Sequence, residues 1–153
     1  MTKRCLLGTA AGLSGTLCGA MSLIGASLVP YCKSIPPKEF HLWFAAHGNF
    51  LGNFMIPLTG ITTIVAVIAL LANSTKKHKA RVPAAIAALG VLLIVAVYLI
   101  FNAPINEQLM QTAALTDDQI KTLLSQWSGY HWVRVTLGIG AFVASLVAFK
   151  SAD

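Results

Sequence analysis

Trp127, His131, Arg134 and Gly138 follow one another at spacings of 4, 3 and 4, which places them on one face of a helix. An imidazole one turn from a guanidinium is a useful pair. The imidazole titrates near neutrality and can take a proton, while the permanently charged guanidinium can hold an oxyanion formed by its loss. Upstream, Asn102 and Asn106 flank Pro104, and Tyr98 stands one turn before them. Proline lacks a backbone donor and crowds the preceding turn, so the helix is expected to kink or end there and free a carbonyl. The two amides then either satisfy the loosened backbone or point at a ligand. A third polar group, His41, His47, Asn49 and Asn53, precedes Pro57.

Other chemistries compete for these residues. His131 and Arg134 can bond helix ends and snorkel towards headgroups, with Trp127, Tyr130 and Trp132 forming an interfacial belt. His41, His47 and His131 are suitable ligands for a metal or haem. A six-residue spacing nevertheless turns the first two about 120° apart on a continuous helix, and no His-x3-His, Cys-x2-Cys or carboxylate-rich helix accompanies them. Nucleophile-elbow, phosphate-loop and dinucleotide motifs are absent, as are an intramembrane acid and an inverted repeat that would suit a transporter.

The elements that must position these groups are hydrophobic spans. Of 153 residues, 56% are apolar and 10% charged, against roughly a quarter charged in an ordinary soluble domain. A hydrocarbon core needs about 20 apolar residues per helix, and four stretches meet that need, about 5–29, 49–72, 82–101 and 129–149. The expected fold is all-α, an integral membrane four-helix bundle forming a single membrane domain over 1–153. Pro30, Pro36 and Pro37 are expected to end the first span. A loop over 103–128 joins the last two, with a short interfacial helix from about Asp117 to Gln126 opened by a Thr116–Gln119 capping box. A cleaved signal peptide competes for the first stretch, but that stretch is longer than a signal core and carries a packing pattern.

Charge sets the expected orientation. With both termini and the Lys76, Lys77, Lys79, Arg81 turn on one side, that side carries all of the +6 net charge and the other sums to zero. Basic residues stay cytoplasmic, so both termini are expected inside, in an inner or plasma membrane. The basic residues are too few and too clustered for nucleic acid. Three cysteines make no disulfide framework.

Small residues predict the packing. Gly8, Gly12, Gly15, Gly19, Ser22 and Ala26 form one stripe on the first span, and Gly138, Ala141, Ser145 and Ala148 form another on the fourth. Such stripes let helices approach closely in lipid. The first span is therefore expected to pack along its whole stripe, and either stripe offers a route to a homo-oligomer or a partner membrane protein. Every histidine except His78 maps to the half away from the basic turn, so one polar pocket is expected there. Arg134 lies about a turn inside its span, where an unpaired charge is expensive. Glu107 or Glu39 is the expected partner.

Asn102-Ala-Pro104-Ile-Asn106, followed across a loop by Trp127-x3-His131-x2-Arg134 and an apolar last helix, resembles the anthrone oxygenase-like family of small four-helix membrane proteins. The likeness is specific over 98–149 and architectural before that. It implies oxidation by molecular oxygen of a lipophilic aromatic or polyketide such as an anthrone, entering from the membrane, without a cofactor. The implied roles are His131 as base, Arg134 and Asn106 as oxyanion donors, and Trp127, Tyr98, Asn102 and His47 lining the substrate slot. A non-catalytic bundle that binds a lipid, quinone or partner membrane protein is the alternative, and a His-ligated metal or haem protein through His41, His47 and His131 is the second.

Overall fold

The computed structural model describes residues 3–74, 79–111 and 114–152. They form four long helices, α1 (Lys3–Ser34), α2 (Pro37–Ala72), α3 (Arg81–Met110) and α4 (Asp117–Lys150), each long and apolar enough to cross a membrane. The chain is an integral membrane protein with an all-α architecture. Contacts run α1 to α2, α2 to α3, α3 to α4 and α4 back to α1, with little across the diagonal, which is an up-down-up-down ring. The expected basic turn with Lys76, Lys77 and His78 lies outside the described residues, as does Asp153.

The helices are longer than the apolar stretches that announce them. A 34-residue helix rises about 51 Å against a hydrocarbon core of about 30 Å. Lys3, Arg4, Arg81 and Lys150 mark helix ends on one side, the basic end, so the surplus projects from the other. There α1 continues through Pro30 to Ser34, α2 begins at Pro37 and not near Asn49, and α3 continues through Pro104 to Met110. Much of the expected 103–128 loop is helical, since α3 runs to Met110 and α4 begins at Asp117, and the expected separate interfacial helix is the first three turns of α4. Hydropathy registers the lipid-facing part of a helix and is blind to the amphipathic part beyond it. The capping box is present: Gln119 N donates to Thr116 Oγ1 at 3.3 Å and Thr116 N donates to Gln119 Oε1 at 2.8 Å.

Side-chain size grades along the bundle. At the basic end the core is Leu7, Ala10, Ala69, Ala80, Ala84 and Ala148, and small residues let helix backbones close up. Mid-bundle it is Leu17, Met21, Val91, Ile94, Val135 and Ala141. The projecting end is filled by Phe40, Phe44, Ile105, Leu109, Ile120 and Leu124 with Cys32, bulkier groups that hold helices apart. On α4 the small stripe packs as expected: Gly138, Ala141, Ser145 and Ala148 are buried, and Ser145 meets Ser14 of α1 at 3.3 Å. On α1 the expected stripe is displaced. Gly8 and Gly15 sit under the rings of Phe149 and Phe142, but a Cβ at Gly12 or Gly19 would meet nothing within 4 Å. The buried face is instead Leu7, Ala10, Ser14, Leu17 and Met21, because the larger apolar groups turn inward and leave the glycines at the edge.

Candidate functional site

Two prolines shape the walls of the site in the same way. In α1 a π-helical turn spans Ile24–Leu28, with Val29 N donating to the Ile24 carbonyl, and Pro30 follows two residues later. In α3 the π-helical turn spans Tyr98–Asn102, with Ala103 N donating to the Tyr98 carbonyl, and Pro104 follows at the same offset. Each proline would leave the carbonyl four residues back, Ala26 or Ile100, without its donor and crowd it. Widening the turn relieves the crowding, so both helices continue where a kink or end was expected, and such widened turns recur at functional sites.

Between these two walls lies α4. His131 is 1% exposed, and its Nε2 is 2.8 Å from the Met21 carbonyl of α1. A carbonyl only accepts, so Nε2 carries a proton and Nδ1 holds a lone pair in the neutral ring. A Cβ at Gly25 would lie 3.4 Å from His131 Cδ2, so the Nε2–Cδ2 edge faces α1 and the opposite atom, Nδ1, faces away from it. Nδ1 is buried and unpartnered. Trp127 stacks on the imidazole at 4.9 Å and 5°, its indole Nε1 donating to Asn106 Oδ1 of α3 at 2.8 Å. Asn102, fully buried, donates from Nδ2 to the Trp127 carbonyl at 3.2 Å, while its Oδ1 has no partner. The side chains from the 98–106 and 127–134 segments thus lock α3 to α4.

Arg134 is 6% exposed and lies over the Tyr98 ring at 5.1 Å. Its Nε is unpartnered, and no carboxylate of the described residues reaches it within 4 Å, so neither Glu107 nor Glu39 is the ion-pair partner expected. Glu107 is exposed and lines the same cleft as Arg134. A face-on aromatic ring takes the place of a carboxylate as the neighbour of this cation.

A cleft of about 460 Å³ opens on this group from between α2 and α3. Tyr98, Asn106, Trp127, His131 and Arg134 line it, with Asn49, Asn53 and Glu107. Asn102 sits behind the wall. His47 is exposed, held by its Nδ1 at 3.0 Å from the Trp43 carbonyl and stacked on the Trp43 ring, outside the cleft. His41 Nε2 lies 3.0 Å from the Gln111 carbonyl. The three histidines considered as ligands are thus tied to three separate carbonyls, and no three His, Cys, Asp or Glu side chains converge among the described residues. Sequence reasoning missed Met21 and Gly25, which seat the imidazole. Pro30 was the available signal, since it repeats the offset of Pro104.

No curated protein and no solved structure matches this chain. The family model described as anthrone oxygenase matches residues 40–144, which takes in every cleft residue on α2, α3 and α4 but not the α1 segment that anchors the imidazole. With more than half of its length matched, this chain belongs to the anthrone oxygenase family.

Proposed function

We propose that the protein is a membrane oxygenase that converts a lipophilic aromatic ketone of the anthrone class to the quinone with molecular oxygen, at a cleft in the outer leaflet, with both termini cytoplasmic. His131 Nδ1 removes the acidic hydrogen from the carbon between the rings. The enolate oxygen so formed is held by Arg134 and by the free amide hydrogens of Asn106. The electron-rich anion gives one electron to oxygen, and the radical pair joins as a C–OO⁻ bond, which the His131 imidazolium protonates. Loss of the remaining hydrogen from that carbon breaks the O–O bond and expels water. Ketone plus oxygen yields quinone plus water, so no external reductant is consumed.

The observation that carries this reading is the hydrogen bond from His131 Nε2 to the Met21 carbonyl. It fixes the proton on one nitrogen and leaves the other as a base, one helical turn from an uncompensated cation. The Trp127 ring and the apolar part of the cleft lining suit a flat, lipophilic substrate. Charge distribution supports the orientation, since Lys3, Arg4, Arg81 and Lys150 all cluster at the end away from the cleft.

The test is oxygen uptake and anthraquinone formation from anthrone in proteoliposomes, corrected for empty vesicles. His131→Gln keeps a side-chain donor for the Met21 carbonyl but has no base. Turnover is expected to fall about 10²- to 10⁴-fold while helical content by circular dichroism is unchanged. Wild-type turnover by that folded variant, or no turnover above empty vesicles by the parent protein, overturns the reading.

A further inference from the structure

We infer that the ligand of this cleft is an aromatic head on a hydrocarbon tail, with the head seated at His131 and Arg134 and the tail left in the bilayer through the seam between α2 and α3. The inference rests on the proposed role of those two residues as head-group contacts, and adds to it the class of molecule that reaches them.

The seams of the bundle are unequal. Where α4 meets α1 and α3, the seams are filled: a Cβ at Gly15 would lie 2.9 Å from the Phe142 ring, one at Gly138 2.7 Å from the Met21 methyl, and one at Gly90 3.0 Å from Ala141 Cβ and 3.5 Å from its Cα. Nothing the size of a ring or chain passes there. The cleft instead runs along α2 from Gly48 to Gly60, about 18 Å of helical rise. Its polar groups sit towards the projecting end, where Asn49, Asn53, Asn106 and Glu107 join Trp127 and His131. Towards the basic end the lining becomes Met55, Ile56, Thr59, Gly60, Val95 and Leu99. Ile56 and Leu99 are 57% and 60% exposed, so apolar side chains flank an opening that faces hydrocarbon. A Cβ at Gly60 would meet nothing within 4 Å, which leaves an open trough at that level. Behind this opening, on the α4 wall of the cleft, His131 Nδ1 and Arg134 Nε are buried polar atoms without partners. A polar inner wall and an apolar open side match a polar ring with an alkyl chain.

A tail that stays in lipid changes its surroundings little on binding, because lipid chains are as apolar as the side chains of a helix. Affinity referred to the concentration in lipid is therefore independent of tail length, whereas a closed pocket would reject long tails. The experiment uses Trp43→Phe/Trp132→Phe protein in phosphatidylcholine vesicles, with saturable quenching of Trp127 by 4-alkyl-2-nitrophenols from methyl to dodecyl. These phenols lack the carbon between two rings from which the proposed reaction takes hydrogen, so binding is read apart from turnover. Lipid-referenced affinity is expected to agree within about twofold across the series. Gly60→Phe, which fills the trough, is expected to weaken the dodecyl compound at least about tenfold more than the methyl one, and Gly12→Phe on the open edge of α1 is expected to leave that ratio at its parent value.

Affinity that falls with tail length in the parent, absence of saturable quenching, or a Gly60→Phe ratio equal to that of Gly12→Phe overturns the inference. Failure of the oxygenase reading is separately visible. Chain-independent binding without anthrone turnover removes the activity and keeps the ligand class, while anthrone turnover with tail rejection does the reverse.

Discussion

Replacing Arg134 with methionine is expected to make the protein more stable and less active. The guanidinium lies about 24 Å along α4 from Lys150, inside a hydrocarbon layer of about 30 Å but near its far boundary. It is 94% buried, has an unpartnered Nε and no carboxylate neighbour, and its one described stabilising contact is the Tyr98 ring at 5.1 Å. A central intramembrane arginine costs about 2.5–3.5 kcal/mol. Nearer the boundary roughly 2 kcal/mol is a fair figure, and a desolvated cation–π contact returns roughly 1 kcal/mol of it. Methionine matches the length of the stem, is apolar, and fills irregular space. The net gain is therefore about 1 kcal/mol, in line with other replacements of buried charge by packed apolar groups. For a chain of this size that raises the thermal midpoint by roughly 2–4 °C, measured by circular dichroism in one detergent at fixed concentration. Anthrone turnover by the same preparation should drop about 10²- to 10³-fold, the loss of one oxyanion donor. The two signs together are the test. A midpoint that falls by several degrees would mean that Arg134 is a structural pin, and the account of an uncompensated cation kept for a ligand would be refuted.

Two further substitutions probe how the site is held. Gly25→Leu puts a side chain where a Cβ already lies 3.1 Å from Trp132 and 3.4 Å from His131; it should destabilise by about 1–3 kcal/mol and abolish turnover by moving the imidazole off the Met21 carbonyl, with unchanged stability counting against the seating role. Thr116→Ala removes the side-chain acceptor of the α4 capping box and leaves the backbone N–H of position 116 donating to Gln119 Oε1; it is expected to cost about 1 kcal/mol, read as a lower midpoint with anthrone turnover retained, because the cap lies about three turns from Trp127.

How much of this was legible beforehand varies by element. The number of spans, the four-helix bundle, the capping box at Thr116 and the burial of Gly138, Ala141, Ser145 and Ala148 followed from composition and spacing. The face shared by Trp127, His131 and Arg134 also followed, since helical periodicity fixes direction from sequence alone. Helix lengths did not, because Phe40, Phe44, Ile120 and Leu124 belong to a core that exists only once four amphipathic ends project together. Neither did the continuation of α1 and α3 through proline, which required a π-helical turn that hydropathy does not register.

For the site, residue types and spacing determined which groups could do chemistry and that they share one helix face. Tertiary structure decided what each group meets: the Met21 carbonyl at His131, the Tyr98 ring in place of Glu107 or Glu39 at Arg134, and the cleft from which His47 is excluded. The physical reason is range. Periodicity acts within one helix and is written in the order of residues, whereas the partner of a buried polar atom is set by contacts more than a hundred positions apart in the chain, as between Met21 and His131, and by how closely the side chains between them let the helices approach.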